Sequence, residues 1–376
     1  MRAIQIFFCT ICCVSASAQF AVGYVSITYT DATRNRELPF ELLYPAQSSG
    51  QGVACSDGTF PYIVMAHGFS MQSTDYTYLA EALVSHGYMV LQLATESGFA
   101  PSHADYGLDI LFLAAHFRDE NITAGSLFAG HVLPKVGVIG HSMGGGSAWL
   151  AAAQSNGNID CLVGMAPAET NPSAIDAAMQ VVVPAMILSG SSDAVTPPAQ
   201  NHQPIYEETS SACKVFISVL EGSHCGFADA GTLCQFGEFG FNGLSTNVQQ
   251  SITLDMVKAW MDLHLNDVAE AAIVIENYDE SQSNTQTQNG CVISSLQDNP
   301  SSLLRIFPNP SSDKIYLVDR TFEHLWQVYN SKGQRMALTG NRTSDGRVEL
   351  DVSSLESGIY VIVDSDNATN GRFMVR

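Results

Sequence analysis

Val136-Gly137-Val138-Ile139-Gly140-His141-Ser142-Met143-Gly144-Gly145-Gly146 is the stretch on which the reading of this chain turns. Its first four residues are the apolar kind a buried strand uses, and from Met143 to Gln154 the pattern is that of a helix. Between them Gly-x-Ser-x-Gly reads as a sharp strand-to-helix turn, with glycines at 140 and 144 where the chain must bend and where strand and helix must approach closely. Such a turn holds its serine out at the top of a sheet. An ester carbonyl is attacked efficiently at neutral pH only if the hydroxyl loses its proton as it attacks and the oxyanion meets preorganised donors. The remaining sequence must therefore supply a base, an acid to orient it, and two donors.

On either side, short apolar runs alternate with helix-like stretches, which predicts stacked βα units and a doubly wound, mostly parallel sheet of the α/β class. Strands are expected at 62–66, 89–93, 136–139, 161–165, 185–188 and 215–220, and helices at 76–86, 106–117, 143–154 and 252–265. Ligand sites in such sheets gather beyond the carboxyl ends of the strands. Asp193 follows the fifth run and His224 the sixth, in the order serine, acid, histidine that the α/β-hydrolase arrangement uses. Ser142 is thus read as nucleophile, His224 as base, and Asp193 as the group orienting it. Asp176 and Asp229 follow no strand directly; His202 lies in a polar stretch and His264 within a helix pattern. In His67-Gly68-Phe69, just after the first strand, the backbone N–H of Phe69 is the expected first oxyanion donor, and that of Met143 the second. His67 and His141 are read as turn-positioning residues.

Arg2, the apolar run 4–14 and Ala16-Ser17-Ala18 have the layout of a secretory signal peptide over residues 1–18. No later stretch approaches the roughly 20 apolar residues of a membrane helix, so no membrane span is expected. Beyond residue 18 six cysteines remain, an even number that favours disulfides in an exported protein. Cys225 with Cys234 is the one pairing predicted, whereas Cys161 reads equally well as bridged or as a small buried hydrophobe. A net charge of −21 excludes a phosphate-rich partner such as nucleic acid, which needs clustered Lys and Arg. No CxxC pair suggests zinc, and neither cofactor nor metal is required by the chemistry. A monomer is expected.

The catalytic unit is expected over 19–270 and a flexible, Asn/Gln/Ser/Thr-rich linker over 271–302. Residues 303–376 carry short alternating strands broken by turns, the pattern of a small β-sandwich. Phe307-Pro308-Asn309-Pro310, the Tyr329-Asn330-Ser331-Lys332-Gly333 turn, Leu350-Asp351-Val352 and Leu355-Glu356-Ser357-Gly358-Ile359-Tyr360 resemble the C-terminal sorting domain of type IX secretion. That resemblance implies export via the periplasm to the cell surface or beyond, with the secretion machinery as partner.

The part from 61 to 265 resembles the bacterial cutinase and polyester-hydrolase branch, allied to dienelactone-hydrolase-like enzymes. The motifs are Gly68-Phe69, Ser85-His86-Gly87-Tyr88, the 140–146 turn, Asp193-Ala194-Val195-Thr196-Pro197, Pro204-Ile205-Tyr206 and Gly222-Ser223-His224. The resemblance implies a serine carboxylic-ester hydrolase for hydrophobic esters, polyesters such as poly(ethylene terephthalate) included, with Phe69 and Met143 also lining the acyl subsite. A lipase or chlorophyllase-like esterase for small or lipid-like natural esters is the alternative, and a non-catalytic binding scaffold a third. Two departures stand out: Ala166-Pro167-Ala168-Glu169-Thr170-Asn171 lacks the tryptophan usual in that branch, and 226–243 is rich in Gly and Phe.

Overall fold

The computed structural model describes residues 19–291 apart from 230–232, 239 and 282, and 305–375 apart from 308–310, 319–325, 331–334, 337, 339, 344–346, 356 and 365–369. The expected signal peptide, the end of the expected linker and most of the Phe-Pro-Asn-Pro and Asn-Ser-Lys-Gly motifs lie outside the described residues. Two compact units result, Met1–Ile293 and Ser294–Arg376.

In the first unit, β1 (Ala21–Asp31), β2 (Arg36–Ala46), β3 (Gly50–Gln51), β4 (Phe60–Ala66), β5 (Met89–Leu93), β6 (Val132–His141), β7 (Cys161–Met165), β8 (Ala185–Gly190), β9 (Lys214–Val219) and β10 (Thr285–Asn289) form one sheet. Its order is β10-β9-β8-β7-β6-β4-β5-β2-β1-β3. From β5 to β9 all pairings are parallel, while β1 on β2, β2 on β5 and β10 on β9 are antiparallel. The α/β fold expected from the sequence is the fold found.

The helices are α1 (Thr77–His86), α2 (His103–His116), α3 (Met143–Ala152), α4 (Ala174–Ala178), α5 (His202–Glu208), α6 (Thr246–Leu265), α7 (Ala271–Glu276) and α8 (Tyr278–Ser281). Along β4, Tyr62, Val64 and Ala66 share one apolar cluster with Tyr106, Ile110 and Leu113 of α2 and Trp149 of α3. Ile63 and Met65 share the other with Leu79 and Leu83 of α1 and Met256 and Trp260 of α6. Burial on both faces explains why the central strands read as unbroken apolar runs. The outer strand β1 escaped that reading because it alternates in burial, with Tyr24, Ser26, Thr28 and Thr30 meeting solvent.

The chain from residue 271 differs from the expected linker. α7 buries Ala271, Ala272 and Ile275, and β10 adds an antiparallel edge to β9 despite its Thr-Gln-Thr-Gln-Asn sequence. Ladder hydrogen bonds need only the backbone, and a disulfide from Cys213 to Cys291 closes this edge. A polar edge strand has no apolar signal to read.

In the second unit, β11 (Arg305–Phe307), β12 (Lys314–Val318), β15 (Gly340–Arg342) and β16 (Val348–Asp351) make one four-stranded antiparallel sheet. A second contains β13 (Trp326–Asn330), β14 (Arg335–Met336), β17 (Gly358–Asp364) and β18 (Asn370–Val375). Ile315, Leu317 and Leu350 from the first meet Val328, Ile362 and Phe373 from the second in one apolar core, the small sandwich expected.

Candidate active site

Ser142 sits between β6 and α3 with φ 53° and ψ −120°, a backbone conformation disfavoured for any residue but glycine. Three hydrogen bonds hold it there: its N–H donates to Met165 O at 2.9 Å, and its carbonyl accepts from Gly146 N–H at 3.0 Å and Ala168 N–H at 2.9 Å. A Cβ on Gly144 would lie 2.5 Å from the carbonyl oxygens of Ala66 and His67, so only glycine lets α3 start this close to the end of β4. As first residue of α3, Met143 carries an N–H that helix geometry leaves without an intrahelical partner.

His224 and Asp193 meet. Nδ1 of His224 donates to Asp193 Oδ2 at 2.7 Å, and both side chains are buried. The second carboxylate oxygen accepts the backbone N–H groups of Val195 and Thr196, each at 2.8 Å. Burial works against a charge on Asp193, but the hydrogen bond and charge of His224 and the Thr196 N–H outweigh it and hold the carboxyl below its ordinary range. The His224 ring packs on His141, the neighbour of Ser142, with centroids 4.7 Å apart.

Two groups on this acid went unread in the sequence. The Thr196 hydroxyl lies 2.9 Å from Asp193 Oδ2 and 3.0 Å from Nε2 of His202, whose Nδ1 faces the Ser189 hydroxyl at 2.8 Å. His202 is fully buried, which pushes its pKa down to about 4, so its imidazole is neutral. The polar stretch around residue 202 hid it: α5 is a short helix that turns His202 and Ile205 inward and leaves Glu207 and Glu208 exposed. Asp229 instead accepts the Thr77 N–H at the start of α1, Asp176 lies in the first turn of α4, and His264 packs against Trp260 on α6.

The loop carrying His224 is fastened from two sides. Gln249, in the polar first turn of α6, accepts the Ser223 N–H at 2.9 Å and donates to the Ser223 carbonyl at 2.8 Å. This explains why α6 begins six residues before the apolar pattern that announces it. Glu238 accepts the N–H of Cys225 at 3.1 Å and that of His224, and the Cys225 to Cys234 disulfide expected from the sequence closes the same loop. Cys161 and Cys55 are buried free thiols.

Beyond β4, the His67 N–H donates to the Tyr106 hydroxyl at 2.8 Å and the Gly68 N–H to that of Tyr76 at 3.0 Å. The His67 ring lies between the carbonyls of Gly68 and Thr95 at 2.8 and 2.9 Å, a turn-fixing arrangement. Phe69 projects from this loop, half-exposed at 51%, while Met143 is buried. No helix among the described residues is long and apolar enough to cross a membrane, and no cluster of metal-ligating side chains occurs among them.

Residues 43–249 match the family model described as PET hydrolase-like, more than half of the chain. Residues 305–375 match the secretion system C-terminal sorting domain, and the protein is accordingly a type IX secreted one. Over 170 residues the chain is 26% identical to the bis(hydroxyethyl) terephthalate hydrolase of Streptomyces coelicolor, covering 45% of this chain and 52% of that protein. Over 174 residues it is 24% identical to cutinase est1 of Thermobifida alba, covering 45% and 54%. The chain thus spans about half the length of the curated relatives it matches.

Proposed function

The chain belongs to the PET hydrolase-like family, and from that premise we propose that it is a secreted serine carboxylic-ester hydrolase working through an acyl-enzyme on hydrophobic esters, polyesters among them. The observation that carries the reading is the strained Ser142 turn set beside the buried His224 and Asp193 pair. Ser142 Oγ attacks the ester carbonyl as His224 takes its proton, and Asp193 stabilises the imidazolium. The N–H groups of Phe69 and Met143 receive the oxyanion. Collapse of the tetrahedral adduct expels the alcohol, which takes the proton from His224. Water, activated by the same histidine, then releases the acid from Ser142.

The exposed Phe69 ring supports an apolar acyl group lying across the mouth of the site. The tryptophan-free run 166–171 favours a second reading on the same chemistry, in which small or lipid-like natural esters are preferred to aromatic polymer. The test has two arms. A fluorophosphonate probe should label Ser142 and nothing in Ser142→Ala; labelling elsewhere or none at all would sink the serine mechanism. Release of soluble acids from a polyester film is then set beside turnover of short and long p-nitrophenyl esters. Good ester turnover without film products would remove the polymer while leaving the mechanism.

A further inference from the structure

Between the loop beyond β4 and the loop that carries His224 runs a chain of buried polar groups whose proton order is fixed. Nε2 of His141 lies 3.1 Å from the backbone carbonyl of His224, and a carbonyl only accepts, so Nε2 carries the proton. His141 is fully buried, and burial together with the neighbouring His224 holds its pKa far below the ordinary value; the ring is neutral and Nδ1 is bare. The Tyr76 hydroxyl, 2.8 Å away and 3.3 Å from the weaker thioether acceptor Met71 Sδ, therefore donates to Nδ1, and its oxygen is left to accept the Gly68 N–H at 3.0 Å. Tyr76 is itself fully buried.

The loop end of this chain touches the nucleophile's own turn. A Cβ on Gly68 would sit 2.9 Å from Met71 Sδ, 3.1 Å from His141 Nδ1 and 3.4 Å from Ser142 Cβ. With no side chain at 68, this turn is set by its hydrogen bonds: the Gly68 N–H is held by Tyr76 in the His67-Gly68 peptide, and the Gly68 carbonyl, in the peptide that carries the Phe69 N–H, accepts from Met71 N–H at 3.1 Å and faces His67 Nδ1 at 2.8 Å. We propose that Tyr76 is a positioning residue that, through its hydroxyl, holds the Gly68 backbone, and with it the Phe69 N–H of the next peptide, in register with the backbone of His224 by way of His141. This rests on the reading of Ser142, His224 and Phe69 given under Proposed function. The oxyanion donor and the base belong to loops more than 150 residues apart in sequence, 69 and 224, and this relay ties one to the other without passing through the substrate.

Tyr76→Phe deletes the linking oxygen and leaves the ring. With p-nitrophenyl butyrate, kcat should fall at least about tenfold while KM stays within about twofold, since a misplaced oxyanion donor acts on the transition state. The inhibition constant of an alkylboronic acid, whose tetrahedral adduct on Ser142 puts an oxygen in the oxyanion site, should rise by the same factor as kcat/KM falls. A purely structural tyrosine would move neither selectively. Should Tyr76→Phe not fold, His141→Gln cuts the relay in its middle, retaining a donor toward the His224 carbonyl, and the same two shifts are expected. Unchanged kcat and boronate affinity, or a loss carried by KM alone, overturns the proposal. Ser142→Ala run in parallel separates the two ideas: if it keeps activity the nucleophile is wrong, whereas an inactive Ser142→Ala beside a fully active Tyr76→Phe condemns only the relay.

Discussion

Asp193 Oδ2 takes a 2.7 Å hydrogen bond from Nδ1 of His224 with both groups shut away from solvent, so the imidazole has one tautomer and one orientation available. Asp193→Asn keeps the shape but offers an amide that favours the opposite tautomer. kcat for p-nitrophenyl esters should fall by up to about ten-thousandfold with little change in melting temperature. A variant retaining more than about a tenth of the rate would take Asp193 out of this role.

Thr196→Val tests the lining of the same acid. It removes the hydroxyl shared between Asp193 and His202, leaving a buried imidazole nitrogen without its partner. Each unsatisfied buried group costs about 1–3 kcal/mol, so chemical denaturation should report a loss of that size, accompanied by a fall in kcat. Full stability and full rate together would show that the Thr196 hydroxyl is idle.

The two disulfides should separate stability from activity. In the chain-entropy account, the 78-residue span from Cys213 to Cys291 stabilises by roughly 4–5 kcal/mol and the 9-residue span from Cys225 to Cys234 by roughly 2.5–3 kcal/mol. Replacing Cys213 and Cys291 by serine should give the larger drop in melting temperature. Replacing Cys225 and Cys234 should give the larger drop in kcat, because that loop also presents Glu238 to the backbone of His224. The opposite ranking in either assay would refute this division.

Asp262 governs part of the acid sensitivity. Burial opposes its charge, yet hydrogen bonds from His86, Tyr88 and Asn266 outweigh that and lower its pKa from the ordinary 3.8. Because the folded value is the lower one, its contribution is complete above 3.8 and is lost as pH falls below it through the folded value. Asp262→Asn should therefore cost about 1–3 kcal/mol at neutral pH and flatten the decline in stability below that point, as read from urea melts across pH. A wild-type and variant with parallel curves would contradict it.

How much of this could be read from the residues depends on whether burial left a mark on them. Strands β4 to β9 sit between two helical layers, and their apolar runs announced them; the Ser142 turn, Asp193 and His224 followed from position beyond those strands. What escaped was polar and held by backbone or by single hydrogen bonds: β10 with no apolar residue, the Gln249 turn of α6, and His202, whose burial no periodicity records. Tyr76 and Tyr106 look like ordinary core aromatics, since nothing in sequence shows where a hydroxyl will point.

The bond from Cys213 to Cys291 has a mechanical meaning for a chain that ends in an export signal. Tension applied to the C-terminal side reaches Cys291 and passes through sulfur directly to Cys213 at the head of β9. The backbone between them, with β9, His224, the Cys225 to Cys234 disulfide and α6, lies outside that covalent path. A pull on the tail is thus carried by a covalent shortcut that bypasses the backbone on both sides of His224.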